Sequence, residues 1–263
     1  MPQALVAGGT GTLWNPAQRP PTGQASVSLD LVQTPTAVGV NGSLFVGRIR
    51  IRPLGEVGLV YGEMAVADLL RTTVSPEPDA GTVPYFAHLA GVNWTATRAG
   101  TTVGTTIGLE DTRLDMVRED RARFDIGIAQ LLPAGIRIAA AGHLMSRVGA
   151  DPDHELYAGV EWRLWRGTTW SGSGPGSFVL RSGIAVGHDV STDYQVGLGL
   201  ELARQFAADL QLTRQGGYAG SGAWSGSAGV HVRIGRYGVR YARDTGLSDL
   251  GSAYRVGLEA QVK

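Results

Sequence analysis

Tyr194-Gln195-Val196-Gly197-Leu198-Gly199-Leu200-Glu201-Leu202 is the stretch whose reading decides the fold. Every second residue is aromatic or aliphatic, and between them stand Gln, Gly, Gly and Glu. A strand turns successive side chains to opposite faces, so this stretch has one apolar face and one small, polar face. The pattern recurs along the chain in both directions. Leu156, Ala158, Val160, Trp162 and Leu164 alternate with Tyr157, Gly159, Glu161 and Arg163. Phe45, Gly47, Ile49 and Ile51 alternate with Val46, Arg48, Arg50 and Arg52. Tyr254, Val256, Leu258, Ala260 and Val262 alternate with Arg255, Gly257, Glu259 and Gln261. About fourteen such segments lie between Gln24 and Val262 at roughly 17 residues each, which suits membrane strands of ~9–11 residues plus short connections.

The polar face identifies the surroundings. In a water-soluble sandwich the apolar face is the core, and Lys, Glu and Thr line the outside. Here the polar face is Gly, Ser, Thr, Arg and a few acids. Of the 23 basic residues all but Lys263 are arginine, and charged residues are 17% of the chain, against about 25% in an ordinary soluble domain. The hydrophobic content of 43%, with aromatics spread throughout, excludes a disordered chain. No run of ~20 apolar residues offers a membrane helix, and no ~40-residue repeat marks a propeller. The expected fold is therefore all-β: a transmembrane antiparallel β-barrel of about 14 strands. Apolar side chains meet lipid, small polar ones face the lumen, and closure satisfies every backbone amide without water.

The connections add a second signal. Pro53-Leu54-Gly55, Arg98-Ala99-Gly100, Pro133-Ala134-Gly135, Arg204-Gln205-Phe206 and Gly235-Arg236 read as tight turns, because Pro presets φ and Gly accepts positive φ. Between them fall longer, more polar stretches: 66–83, 111–121, 147–154, 188–193, 215–222 and 243–250. Short turns on one rim and longer loops on the other match periplasmic turns and extracellular loops. The stretch 166–177 is the exception, long where a tight turn is due. Residues 66–73 suggest a short helix in the longest loop. Trp94, Trp162, Trp165, Trp224, Tyr237 and Tyr241 suit the interfacial girdles. The expected location is a bacterial outer membrane, although residues 1–9 carry neither the basic nor the apolar part of a secretory signal.

The first residues do not alternate. Ala7-Gly8-Gly9-Thr10-Gly11-Thr12-Leu13-Trp14-Asn15-Pro16-Ala17 is Gly-rich and ends in an aromatic-Asn-Pro-Ala motif directly before the first strand. This motif, Trp14, Asn15, Pro16 and Ala17, resembles the N-terminal signature of the FadL-like outer-membrane family. That family includes the FadL fatty-acid transporters and PorV-type proteins. The closing region, Tyr241-Ala242-Arg243-Asp244 and Leu250 to Leu258, resembles the last loop and strand of the family. The resemblance implies a fourteen-stranded barrel with an N-terminal segment, residues 1–23, folded into the lumen of a barrel formed by 24–263. It implies that Trp14, Asn15, Pro16 and Ala17 shape and gate this hatch. Function then divides two ways. One is a passive channel for a small hydrophobic or amphipathic compound. The other is a PorV-like scaffold or shuttle that binds a partner protein through its extracellular loops. The chain is short for a FadL transporter, and Lys263 stands where a terminal aromatic is usual.

The alternation sends Arg48, Arg50, Arg52, Arg123, Asp125, Arg137, Glu161, Arg163, Arg181, Glu201, Arg255 and Glu259 into the lumen. Arginines and carboxylates on adjacent strands form ion-pair ladders that stiffen a barrel, or a surface that holds an anionic head group. The Arg48-Arg50-Arg52 run is the candidate cradle for a carboxylate. Lumen glycines, among them Gly104, Gly127, Gly199 and Gly257, leave room for the hatch, for Arg side chains or for a ligand. The acidic groups Asp111, Asp115, Glu119, Asp120 and Asp151, Asp153, Glu155 lack Ca²⁺-loop spacing. With no Cys as well, no metal and no cofactor are expected. His88 and His231 fall inside strands, while His143, His154 and His188 fall near loops. No nucleophile elbow or phosphate loop accompanies them, so no enzyme is expected. A formal net charge of zero argues against nucleic acid. Outer-membrane lipid is the expected surrounding, with a hydrophobic small molecule or a protein at the extracellular loops as the candidate partner.

Overall fold

A computed structural model describes residues 11–18, 23–34, 39–70, 82–146, 154–168, 175–187, 192–202, 205–216, 223–245 and 252–262. Gly11–Trp14 form one helical turn, α1. The strands are β1 (Ala25–Gln33), β2 (Val40–Ile51), β3 (Gly55–Leu70), β4 (Thr82–Arg98), β5 (Thr101–Leu114), β6 (Val117–Leu131) and β7 (Ile136–Met145). They continue as β8 (His154–Thr168), β9 (Pro175–Gly187), β10 (Asp193–Leu202), β11 (Phe206–Gln215), β12 (Ala223–Ile234), β13 (Tyr237–Asp244) and β14 (Tyr254–Val262). Each strand pairs antiparallel with its sequence neighbours. β1 then pairs with β14, from Ala25 opposite Val262 to Gln33 opposite Tyr254, and the sheet closes into a barrel of fourteen strands.

Turn chemistry sets the closely spaced rim. Ala99 (φ 48°) and Gly100 (φ 84°) form a two-residue hairpin connection with both φ values positive, which matches the twist of the flanking strands. Packing is inverted relative to a soluble protein. Leu59, Ile107 and Leu109 are 62%, 66% and 68% exposed on the outer face. Asn93, Thr95 and Asp125 are buried on the inner face. A closed barrel with an apolar exterior and a polar interior is the architecture of an outer-membrane β-barrel. Trp94, Trp162, Trp165 and Tyr237 lie outward near the short-turn rim, and Trp224 lies outward near the other. The Trp94 indole N–H donates to the Leu54 carbonyl (2.8 Å), tying a girdle ring to a turn.

The strands outrun several boundaries read from sequence. Val66–Leu70 continue β3 and are not helical, and residues 71–73 lie outside the described residues. Residues 111–121 are not a loop. They form a β5–β6 hairpin extension that turns at Asp115 (φ 55°) and Met116. Its acids are laddered with arginine: Arg118 donates to Asp111 (3.0 Å) and pairs with Asp120 (3.5 Å). Cross-strand charge pairing supports strand where polarity alone suggests loop. Likewise Arg166–Thr168 belong to β8 and Pro175–Ser177 to β9. The loop readings at 147–153, 188–191, 217–222 and 246–251, and the turn at 203–204, lie outside the described residues.

Candidate functional site

Thr12, Asn15 and Ala17 are 0% exposed, although they precede the barrel in sequence. Their neighbours explain this. The segment Gly11–Gln18 touches β2, β4, β5, β6, β7 and β8, which only a position inside the lumen allows. Local chemistry shapes it. Asn15 N–H donates to the Gly11 carbonyl (2.8 Å) and closes α1. The Asn15 side-chain oxygen accepts from the Ala17 N–H (2.9 Å), and the Asn15 carbonyl from the Gln18 N–H (3.0 Å). An Asn whose side chain mimics a backbone turn, followed by Pro with preset φ, makes this bend.

The wall receives the bend through two glycines and a hydroxyl. A Cβ on Gly127 would stand 2.0 Å from Asn15 Oδ1, and one on Gly104 would stand 2.3 Å from the Pro16 carbonyl oxygen. Only a residue without a side chain permits this approach. Thr95 Oγ1 donates to the same Pro16 carbonyl (2.9 Å). At the other end of the segment, Arg48 donates to the Gln18 carbonyl (3.3 Å) and Arg137 to the Gln18 side chain.

Arg123, Asp125 and His143 hold the middle. Arg123 donates through Nε to Asp125 (2.8 Å) and through Nη2 to the Leu13 carbonyl (3.0 Å). His143 Nε2 lies 3.0 Å from the Trp14 carbonyl, which can only accept, so Nε2 carries a proton. Its Nδ1 meets Asp125 Oδ1 and Arg123 Nη2, each at 2.7 Å. The pair has the outline of a base and its orienting carboxylate. Its outer nitrogen is spent on the Trp14 carbonyl, so it is not available to take a proton from a nucleophile. Tyr157 completes the seat, edge-on to both Trp14 (5.9 Å) and His143 (5.0 Å).

The opposite wall, β9 to β14 with β1, has a different chemistry. Arg181 donates to Glu161 (2.8 Å) on β8 and to Asp209 on β11. Arg240 pairs with Asp30 (2.9 Å). Gly199 and Gly257 again make room, here for the ion pairs: a Cβ would stand 2.4 Å from Arg181 Nη1 and 2.1 Å from Asp30 Oδ1 respectively. Glu201 accepts from Ser177 Oγ (2.8 Å) and stands 3.8 Å from Arg163.

The residues singled out from sequence thus fall into three groups. Trp14, Asn15, Pro16, Ala17, Arg48 and Arg123 come together around the N-terminal segment. Arg181 and Glu201 lie on the charged wall, and Glu161 and Arg163 on β8 border it. The Arg48-Arg50-Arg52 run does not converge on one carboxylate. Arg48 is buried against the segment, Arg50 pairs with Glu56 across the β2–β3 hairpin (2.7 Å), and Arg52 is exposed beside the turn. Strand rise separates alternate side chains by about 7 Å, too far for a shared partner. His143 stands two residues before the end of β7 and points into the barrel. It is 1% exposed inside β7, on the face of Arg137, Ala139 and Ala141. The alternation of Ile136, Ile138 and Leu144 carries that placement, blurred by alanines that fit either face.

No protein-family model matches the chain. No curated protein matches it either. Among solved structures it is similar to Omp33 of Acinetobacter baumannii at 9% identity, over 91% of this chain and 98% of that one, with a TM-score of 0.49. It is similar to CdiB of Acinetobacter baumannii at 10% identity over 90% of this chain, TM-score 0.49, and spans 60% of that protein's length. A mutant of the Rh. blastica porin gives 10% identity, 90% and 98% coverage, and a TM-score of 0.45.

Proposed function

We propose that this barrel lies in the bacterial outer membrane as a passive channel of the FadL-like kind, with Trp14, Asn15, Pro16 and Ala17 forming its hatch. The observation that carries this reading is the division of the lumen. The segment lies against β2 and β4 to β8, and the facing wall is polar, charged and bordered by cavities. An amphipathic solute suits that wall better than a wholly apolar one, because its polar end can replace water on fixed Arg and Asp groups. The lipid bilayer is the partner of the outer face.

One observation favours the PorV-like scaffold as a second reading. The segment is held by hydrogen bonds at Leu13, Trp14, Pro16 and Gln18, which suits a permanent plug. A partner protein would then engage the loop rim.

Swelling of proteoliposomes in small sugars and in short-chain fatty-acid salts separates the two. A gated channel gives slow swelling that rises several-fold in the Asn15→Ala, Pro16→Ala variant. Equal impermeability of the folded parent and variant defeats the channel reading and leaves the scaffold.

A further inference from the structure

We propose a binding site for a small oxyanion, a carboxylate or phosphate on a free solute, inside the lumen at the short-turn mouth between β8 and β12. A cavity of about 520 Å³ opens there, lined by Arg163, Arg166, Ser177, Glu201, His231 and Arg233. The segment Gly11–Gln18 takes no part in it.

A β-bulge builds the site. The register of β8 against β9 slips between Arg163 and Trp165. Strict alternation would turn Trp165 inward and Arg166 to lipid. The extra residue lets Leu164 and Trp165 both face out, and Arg166 falls opposite Ser177 on the lumen face. The bulge thus sets a second guanidinium beside Arg163.

The charges do not cancel. Arg163 reaches Glu201 only at 3.8 Å, and Glu201 already accepts from Ser177. Arg233 stands 3.6 Å from Glu259, beyond hydrogen-bond length. Arg166 makes no ion pair among the described residues. Arg163 Nε and His231 Nε2 are buried without hydrogen-bond partners, and an incoming acceptor relieves the cost at Arg163, whose Nε–H can only donate. The contrast lies one layer deeper, where Arg181 holds two carboxylates at once. Three guanidiniums face two carboxylates, Glu201 and Glu259, each already accepting from another side chain, and the surplus positive charge attracts a planar or tetrahedral oxyanion, which guanidiniums can grip in bidentate fashion. The proposal goes beyond the channel reading, since a site can fill whether or not its solute crosses.

The test is equilibrium dialysis of radiolabelled inorganic phosphate against the folded full-length barrel in neutral detergent. The expected result is saturable uptake of one phosphate, displaced by acetate. Arg166→Gln, an exposed side chain whose loss leaves the fold intact, weakens it at least tenfold. Arg118→Gln, on the other rim, leaves it unchanged. No saturable uptake, or equal affinity in Arg166→Gln, overturns the proposal. Displacement by phosphatidylglycerol micelles but not by acetate assigns the site to a lipid head group and overturns the free-solute form.

Discussion

The two halves of the lumen wall use the same residue types for different ends. On β4 to β7 the polar side chains point at backbone: Thr95 at the Pro16 carbonyl, His143 at Trp14, Arg123 at Leu13. Their glycines, Gly104 and Gly127, open space for a foreign segment of chain. On β9 to β14 the polar side chains point at each other, as in Arg181 with Asp209 and Arg240 with Asp30. Their glycines, Gly199 and Gly257, open space for those pairs. One wall bonds to the segment Gly11–Gln18, and the other is a charge lattice of side chains bonded to each other. An arginine in a barrel is therefore not evidence of a pore lining until its partner is known.

Removing one carboxylate partner of Arg123 on the first wall and one of Arg181 on the second breaks the comparison most sharply. Asp125→Ala leaves Arg123 and His143 without their buried anion and costs about 3 kcal/mol. Glu161→Gln leaves Arg181 still holding Asp209, and costs about 1 kcal/mol. Urea unfolding from lipid vesicles measures both, and equal midpoints would erase the distinction between the walls.

The glycines give the next largest effect. The chain has no cysteine, so Ala17→Cys is a clean reporter of a position that is 0% exposed. Gly127→Ala should raise its maleimide labelling at least tenfold, because the new Cβ must displace Asn15. Gly257→Ala, on the other wall, should leave labelling unchanged. Similar rates in both would show that the segment is not held by fit to β6.

The smallest effect sharpens the picture at a single bond. Thr95→Val removes the donor to the Pro16 carbonyl and weakens the seat by about 1 kcal/mol. Labelling at position 17 should then rise roughly fivefold, on the scale where 1.4 kcal/mol is a factor of ten. A Thr95→Ser variant restores the parent rate.

Much of this fold is legible without coordinates. The alternation in residues 194–202 and its echoes fix strand, face and lipid-facing side, because a period of two admits no other geometry. Fourteen strands follow from segment spacing. The lumen placement of Arg123, Glu161, Arg181 and Glu201 follows from parity alone. Parity fails where register slips, so Arg166 could not be assigned a face from its position. It says nothing of partners: Arg48, Arg50 and Arg52 share a face, yet Arg48 meets Gln18, Arg50 pairs with Glu56 and Arg52 is exposed. The strands run further toward the loop rim than polarity suggests, for a related reason. At 111–121 the polar residues that signal loop are satisfied by cross-strand ion pairs.

The sequence by itself determined the class of surroundings and the two faces of the wall, because those depend on side-chain transfer between lipid and a polar interior, residue by residue. Tertiary structure alone decided what each interior side chain meets. Whether Gly127 weakens a strand or admits Asn15, and whether Arg181 is spare or shared by two acids, depends on residues far apart in the chain. Barrel closure brings them within bonding distance, and no local pattern encodes that meeting.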